Sequence, residues 1–388
     1  MSSGCQTGRI EFDLLCALVR PVPDLMRARK ALRAGVDFPI VLALAAKHGV
    51  RPRLIEGLGA LSWDAVPATA RTALEGFRRR HCARVLSLLH EVRRLGAALA
   101  KSNVRFALFK GPALAAMLYG DPSAREYDDI DVVVPRAQYA DAELTLAGLG
   151  YRGAQGDSVF RRAFLSHLRQ YVFVHPDVDA AIDLHWDFSG AYLPFPLAPE
   201  EIWGTLEPVR FGNCAPPAVA GPNLALLLAG HGTKEAWRRL QWVCDFAWLV
   251  KHRSDLDWSD LHRRARARRC GDCLLLAFAM ARGLLDTAVP DALVRPLEGS
   301  VRVLVLAAAL VEALRQGRLA LERPQNFGDL GLCDNARDRL KAVLELTLAP
   351  TVSDYNAMPL PRPLWPVYHA TRPFRLAAKA LTARRRPG

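Results

Sequence analysis

A chain of 388 residues, 51% of them hydrophobic, exceeds the usual single domain and can bury more than one core. Its net charge of +13 and pI near 9.7 admit a polyanionic partner, nucleic acid included, yet only eight of the 52 basic residues are lysines and the arginines are spread over many segments. The eight cysteines, at positions 5, 16, 82, 214, 244, 270, 273 and 333, sit in apolar or helical surroundings, which argues against a disulfide-stapled secreted fold and for reduced thiols in a cytoplasm.

The first hundred residues show helical spacing. In Phe38–Leu54 the residues Ile40, Leu42, Ala43, Ala46 and Val50 recur at three- and four-residue steps, with Gly49 as a helix end; Arg84–Leu99 carries Val85, Leu88, Leu89, Val92, Leu95 and Leu99. Residues 1–102 are therefore expected to form an N-terminal helical domain. After Asn103 the pattern changes. Val104–Phe109 is a short β-rich run ending at the turn Gly111-Pro112, and helical spacing resumes over Ala113–Tyr119. A polar stretch, Gly120–Asp128, leads into the strand candidate Ile130–Val134, closed by Pro135, and a helix follows from Gln138 to Leu149. Three further strands are expected at Ser158–Phe164, Tyr171–His175 and Ala180–Trp186. This order makes residues 103–198 a small α/β or α+β sheet domain.

From Pro199 onward the reading is helical again. Asn223–Val250 forms one long pattern with a glycine break around Gly230–Gly232, Trp258–Leu284 a second and Val301–Arg315 a third, giving a C-terminal helical domain over 199–350. The lone pair Cys270 and Cys273 has no second C-x-x-C and reads as two core cysteines. Residues 351–388 form a Pro-rich and basic tail. Its end, with Arg372, Arg375, Lys379 and Arg384–Arg386, is read as a frayed basic terminus, the alternative being an amphipathic helix at a membrane surface or on RNA. No apolar run reaches the ~20 residues that span a bilayer, and no basic start followed by an apolar stretch marks a secretory leader. A soluble cytoplasmic protein without a transmembrane segment is expected.

The chemistry concentrates in Arg125–Val134. Residues i and i+2 of a strand share a face, so Asp129 and Asp131 present two carboxylates side by side while Ile130 is buried opposite. Two such charges repel and are costly to desolvate; a divalent cation resolves the conflict, and magnesium, which favours one or two carboxylates plus phosphate oxygens and water, suits a nucleoside triphosphate site. Lys110 and Gly111 stand between a strand and a helix, where the ammonium and the helix-start N–H groups are placed to face a triphosphate. Asp183, in the later strand, is a third carboxylate that either completes the metal site or activates an acceptor hydroxyl. Asp128 lies between strand and loop. Arg125 is read either as a phosphate ligand or as a structural residue, and His185, which shares the strand face of Asp183, as a partner of the ligands or a packed strand histidine. A polar stripe, His231, Lys234, Arg238, Gln241 and Asp245, faces either solvent or a cleft against the sheet domain; His231 and Lys234 are candidate nucleotide or acceptor contacts, and Asp245 a candidate for a structural pair.

Taken in order, Lys110-Gly111, Asp129–Asp131 followed by three valines, and an isolated strand aspartate resemble the polymerase-β-like nucleotidyltransferase superfamily. More narrowly, Phe109–Ala113, Tyr119–Pro122, Arg125, Asp129–Asp131, Gly150-Tyr151 and Asp183–Trp186 resemble the bacterial family described as uncharacterised nucleotidyltransferases, and the likeness takes in Ala46–Val50 before them and the run from His231 to Asp245 after them. The resemblance implies an α+β protein: a small mixed sheet flanked by N-terminal and C-terminal helical domains. It also implies two magnesium ions and transfer of a nucleoside monophosphate from an NTP such as ATP to a hydroxyl-type acceptor (small molecule, protein or RNA), with release of pyrophosphate. Asp129 and Asp131 would hold the metals, Asp183 would complete the second site and assist the nucleophile, and Gly111 would shape the phosphate loop. The chain departs from the superfamily in having Gly111-Pro112 where Gly-Ser or Gly-Gly is common. Two other readings stand beside this one. A nucleotide-sugar glycosyltransferase also carries D-x-D after an apolar strand, but expects about a hundred residues of nucleotide-binding β/α structure before it. A non-catalytic nucleotide-binding scaffold of the same fold would be marked by loss of a carboxylate, and all three are present.

Overall fold

The computed structural model describes residues 8–154, 169–189, 194–317 and 335–384; the strand candidate Ser158–Phe164 lies outside them. Four short helices open it: α1 (Arg9–Val19), α2 (Leu25–Arg33), α3 (Phe38–His48) and α4 (Arg51–Leu61). Their ends are written locally. The Asp24 carboxylate accepts the Arg27 N–H at 2.9 Å to start α2, and Gly49, at φ 68°, closes α3 where its position in the sequence predicts. The long helix α5 (Ala68–Lys101) joins two cores: Ala70 and Leu74 pack among the helices, whereas Val85, Leu88, Val92, Leu95 and Leu99 cover the sheet.

Among the described residues the sheet is mixed and has seven strands: β1 (Ala107–Leu108), β2 (Asp129–Val133), β3 (Arg152–Gly153), β4 (Gln170–Val174), β5 (Ala181–His185), β6 (Leu206–Pro208) and β7 (Pro217–Val219). Their order is β3-β4-β5-β2-β1-β7-β6, with β2 and β5 parallel at the centre. Helix α6 (Gly111–Tyr119) leaves β1, and α7 (Tyr139–Gly148) joins α5 over one sheet face. Of the expected strand Val104–Phe109 only two residues pair, because the Arg105 N–H is taken by the Gln138 side chain at 2.9 Å. The helical reading from Pro199 onward fails for β6 and β7. Each is three residues long, too short for alternation to show, and each ends or begins on proline, which is depleted in strands.

The remaining helices are α8 (Gly221–Lys234), α9 (Leu240–His252), α10 (Trp258–Ala267), α11 (Gly271–Leu285), α12 (Asp291–Glu298), α13 (Val301–Arg315), α14 (Ala336–Leu348), α15 (Val352–Ala357) and α16 (Val367–Arg384). The predicted glycine break is a different feature. Gly230 and Gly232 lie inside α8, and the chain turns later, where Ala236 and Trp237 take φ 52° and 49°. The glycines allow close approach: a Cβ on Gly230 would stand 2.6 Å from the Phe195 ring, and one on Gly232 2.5 Å from Trp237. Cys270 and Cys273 are buried and unbridged, as two core cysteines should be.

One apolar cluster runs through α1, α3 and α4 and on through α8 to α13, so residues from both ends of the sequence share a core containing Phe12, Leu54, Phe246 and Phe278. The reading of a frayed basic end is corrected as far as Arg384, where the chain is helical; Arg385 and Arg386 lie outside the described residues. Asp354 takes Arg372 Nη1 at 2.6 Å and Arg375 Nε at 2.7 Å, and Tyr368 is buried with its hydroxyl donating to the Met358 carbonyl at 2.6 Å, so the paired arginines dock α16 rather than solvate it. Among the described residues no helix is long and apolar enough to cross a membrane.

Candidate active site

Strand alternation and register assemble the acidic centre. On β2, Ile130 and Val132 are buried under α5 and α7, which turns Asp129 and Asp131 to the opposite face; on β5, Ile182 and Leu184 do the same for Asp183 and His185. Asp131 stands directly across from Asp183 in the parallel pair. A one-residue slip would send all four polar side chains into the apolar layer, so burial of the other face fixes the site.

Lys110 Nζ lies 2.7 Å from Asp131 Oδ1. His185 Nε2 lies 3.4 Å from the same oxygen and 3.3 Å from Asp183 Oδ2, which also accepts the Gln170 amide N–H at 2.6 Å. Asp131, Asp183 and His185 are 4%, 8% and 3% exposed, and each offers a ligand atom within 4.8 Å of the others. Asp129 lies on the more exposed flank, outside this close group. Asp183 Oδ1 is buried without a hydrogen-bond partner among the described residues. Such an orphan is costly unless a cation or a donor meets it, and two carboxylates with a neutral imidazole form a donor set that fits a divalent ion.

The charges here are strongly coupled. The neighbouring Asp131 charge and burial push the Asp129 carboxyl up from its ordinary value. Burial works to raise Asp131 as well, but the Lys110 ammonium and His185 outweigh it and hold that carboxyl below the usual range. Burial lowers Lys110 and His185 in turn, and the aspartates more than compensate, so both bases are raised.

Gly111 is set by backbone geometry. Its φ is 52°, and a Cβ there would stand 3.1 Å from the Asp129 carbonyl oxygen, so the loop lies directly against β2. Pro112 occupies the first turn of α6, where a missing N–H breaks no helical bond. The Gly-Pro departure is thus compatible with a helix start aimed from Lys110.

Arg125, His231 and Lys234 separate into two groups. Arg125 is buried in a fork–fork pair with Asp245, Nε 3.1 Å from Oδ1 and Nη2 3.0 Å from Oδ2, while Tyr119 donates to Asp245 Oδ1 at 2.8 Å and Arg125 Nη1 to the Glu126 carbonyl at 3.3 Å. Its guanidinium is spent on holding β2's leading loop to α9. The polar stripe faces the sheet domain: Gln241 Nε2 donates to the carbonyls of Gly49 at 3.0 Å and Glu126 at 2.8 Å. His231 and Lys234, in the last turn of α8, stand close enough to the site to feel it. Burial, then Lys110 and Lys234, drive His231 well below its ordinary value, and Lys234 is lowered by burial against a partial offset from Glu235. Gln170 was not singled out in the sequence. Its signal was weak: a polar residue at the start of an apolar strand, opposite His185 only once the register is known.

A buried cluster of two carboxylates and a histidine on a mixed sheet, with the half-buried Lys110 and Lys234 nearby, is compatible with binding a metal ion. The profile of the family described as uncharacterised nucleotidyltransferases matches residues 34–286, more than half of the chain, and the chain belongs to that family. The match runs from just before α3 to the end of α11 and so includes every site residue named above. The curated proteins give no match.

Proposed function

We propose that the chain is a metal-dependent nucleotidyltransferase of the polymerase-β-like superfamily, moving a nucleoside monophosphate from an NTP to a hydroxyl-type acceptor with release of pyrophosphate. The observation that carries this reading is the cross-strand pair Asp131–Asp183, with Asp129 beside it and Lys110 at 2.7 Å. Asp129, Asp131 and Asp183 would hold two divalent cations. Bound there, such ions supply charge neutralisation of the triphosphate and activation of the attacking oxygen.

The chain's own groups perform the rest. Gly111 brings the backbone at the start of α6 close to Asp129, and its N–H with that of Ala113 forms a phosphate-facing helix start. Lys110 neutralises Asp131 in the absence of nucleotide and turns its ammonium to the β- and γ-phosphates when nucleotide enters. Lys234 adds a second cation from α8, and His231, held neutral, offers a hydrogen bond without adding charge. Asp183, oriented by Gln170, is placed to take the acceptor hydroxyl's proton. Arg125 acts by position, through Asp245.

The test is transfer of label from an α-labelled NTP into a whole-cell extract, supported by thermal melting with divalent cation and each NTP. The wild-type chain should melt higher with one NTP and label one acceptor class, and Asp131→Asn should lose both responses while keeping its far-UV spectrum. Full activity in Asp131→Asn and Asp183→Asn would sink the assignment.

A further inference from the structure

We propose that His185 is a nitrogen ligand of one of the divalent cations, together with Asp131 and Asp183, and that this centre selects manganese over magnesium. The inference rests on the nucleotidyl-transfer reading only for what the ion does there.

The spacing is the first argument. A protonated imidazole that hydrogen-bonds a carboxylate closes to about 2.7–2.9 Å. Two neighbouring ligands of one octahedral ion, each about 2.1 Å from it, stand about 3 Å apart. His185 Nε2 lies 3.4 Å from Asp131 Oδ1 and 3.3 Å from Asp183 Oδ2, drawn fully to neither oxygen and nearly equidistant from both. With the ligand atoms of all three residues within 4.8 Å of one another, this spacing is compatible with three donors around a shared centre.

The second argument is satisfaction. The His185 side chain is 4% exposed, and neither ring nitrogen makes a well-formed hydrogen bond among the described residues. Asp183 Oδ1 is orphaned beside it. Phe109 packs edge-on against the ring at 4.7 Å between centroids and supports its orientation. His185 Nε2 and Asp183 Oδ1 are left without partners by the protein alone; a cation held by Nε2 and by both oxygens of Asp183 would meet the two of them.

Ion preference follows from the donor set. Magnesium binds oxygen and sheds water reluctantly, so a nitrogen in the first coordination sphere penalises it. Manganese accepts imidazole more readily than magnesium does while retaining an affinity for carboxylate and phosphate; later divalent ions bind such a site more tightly still, so the selectivity is one against magnesium. Lys110 Nζ, at Asp131 Oδ1, then marks the position from which the ion displaces a protein cation toward the phosphates.

Electron spin-echo modulation of manganese bound to the full chain tests this directly. With protein labelled with nitrogen-15 only at histidine, the spectrum should show a directly bonded histidine nitrogen. The coupling should persist in His231→Asn and vanish in His185→Gln, whose manganese affinity should fall about tenfold or more while its magnesium affinity changes little. Manganese bound without a histidine coupling, or a coupling that survives His185→Gln, overturns the proposal and leaves an all-oxygen transferase site intact. Failure of the wild-type chain to bind manganese or magnesium at all overturns the proposal and the nucleotidyl-transfer reading together. Should His185→Gln not fold, the labelled wild-type spectrum compared with His231→Asn still decides, because loss of the coupling in His231→Asn would assign the ligand to His231.

Discussion

His48 shows how one side chain far from the chemistry sets a pH limit. It is buried at the end of α3, edge-on to Phe12, and its Nδ1 accepts the Leu240 N–H at 3.4 Å, at the start of α9. Burial, with Lys47 and Arg239 nearby, lowers its pKa from 6.5 to about 4. The folded chain therefore binds fewer protons here than the unfolded one between those values. The neutral ring's contribution is complete above pH 6.5, declines as pH falls, and is gone below about 4, for a loss of about 3 kcal/mol. In His48→Asn, whose amide oxygen can accept the same N–H, the urea midpoint should fall less steeply from pH 6.5 to 4 than in wild type; parallel curves would refute the assignment. At this scale the sequence was readable where strand alternation decides direction, as for Asp129, Asp131 and Asp183. Arg125 stayed ambiguous because its partner, Asp245, is 120 residues away, and no local pattern specifies such a pair.

Among the elements, the corner between α8 and α9 positions Lys234. Helical spacing ran through Asn223–Val250 and suggested that its glycines interrupt it; the physical constraint there is thickness, since Gly232 lets the Trp237 ring lie flat against α8. Gly232→Ala should cost about 1–3 kcal/mol by overpacking. It should also weaken NTP binding more than an equally destabilising change in α12, because Trp237 and Lys234 belong to the same turn. Equilibrium unfolding and nucleotide titration of the two variants check both parts. Long amphipathic helices such as α13, found at the residues its spacing predicts, were legible because many turns repeat one signal. β6 and β7 were not. They exist because β1 offers an edge to Ala218, a tertiary fact that three residues cannot announce.

Across the whole molecule, the sheet and the helical layer are joined at the Arg125–Asp245 pair, 7% and 1% exposed at their side chains. Removing one partner leaves a buried charge alone, so Arg125→Met should destabilise by about 3–5 kcal/mol, whereas Arg125→Met with Asp245→Leu should recover much of it. Thermal unfolding of the two singles and the double measures the coupling; additive losses would show that the pair does not act as a unit. The shared core has another consequence, in the order of synthesis. α3 and α4 are made long before α9, the helix whose first N–H meets His48 across 192 residues. At ordinary rates of translation that interval is about ten to forty seconds. Throughout it, α4 can already pack on α1, whereas the end of α3 around His48 lacks the helix that meets it, so that corner of the shared core is completed only when α9 has left the ribosome.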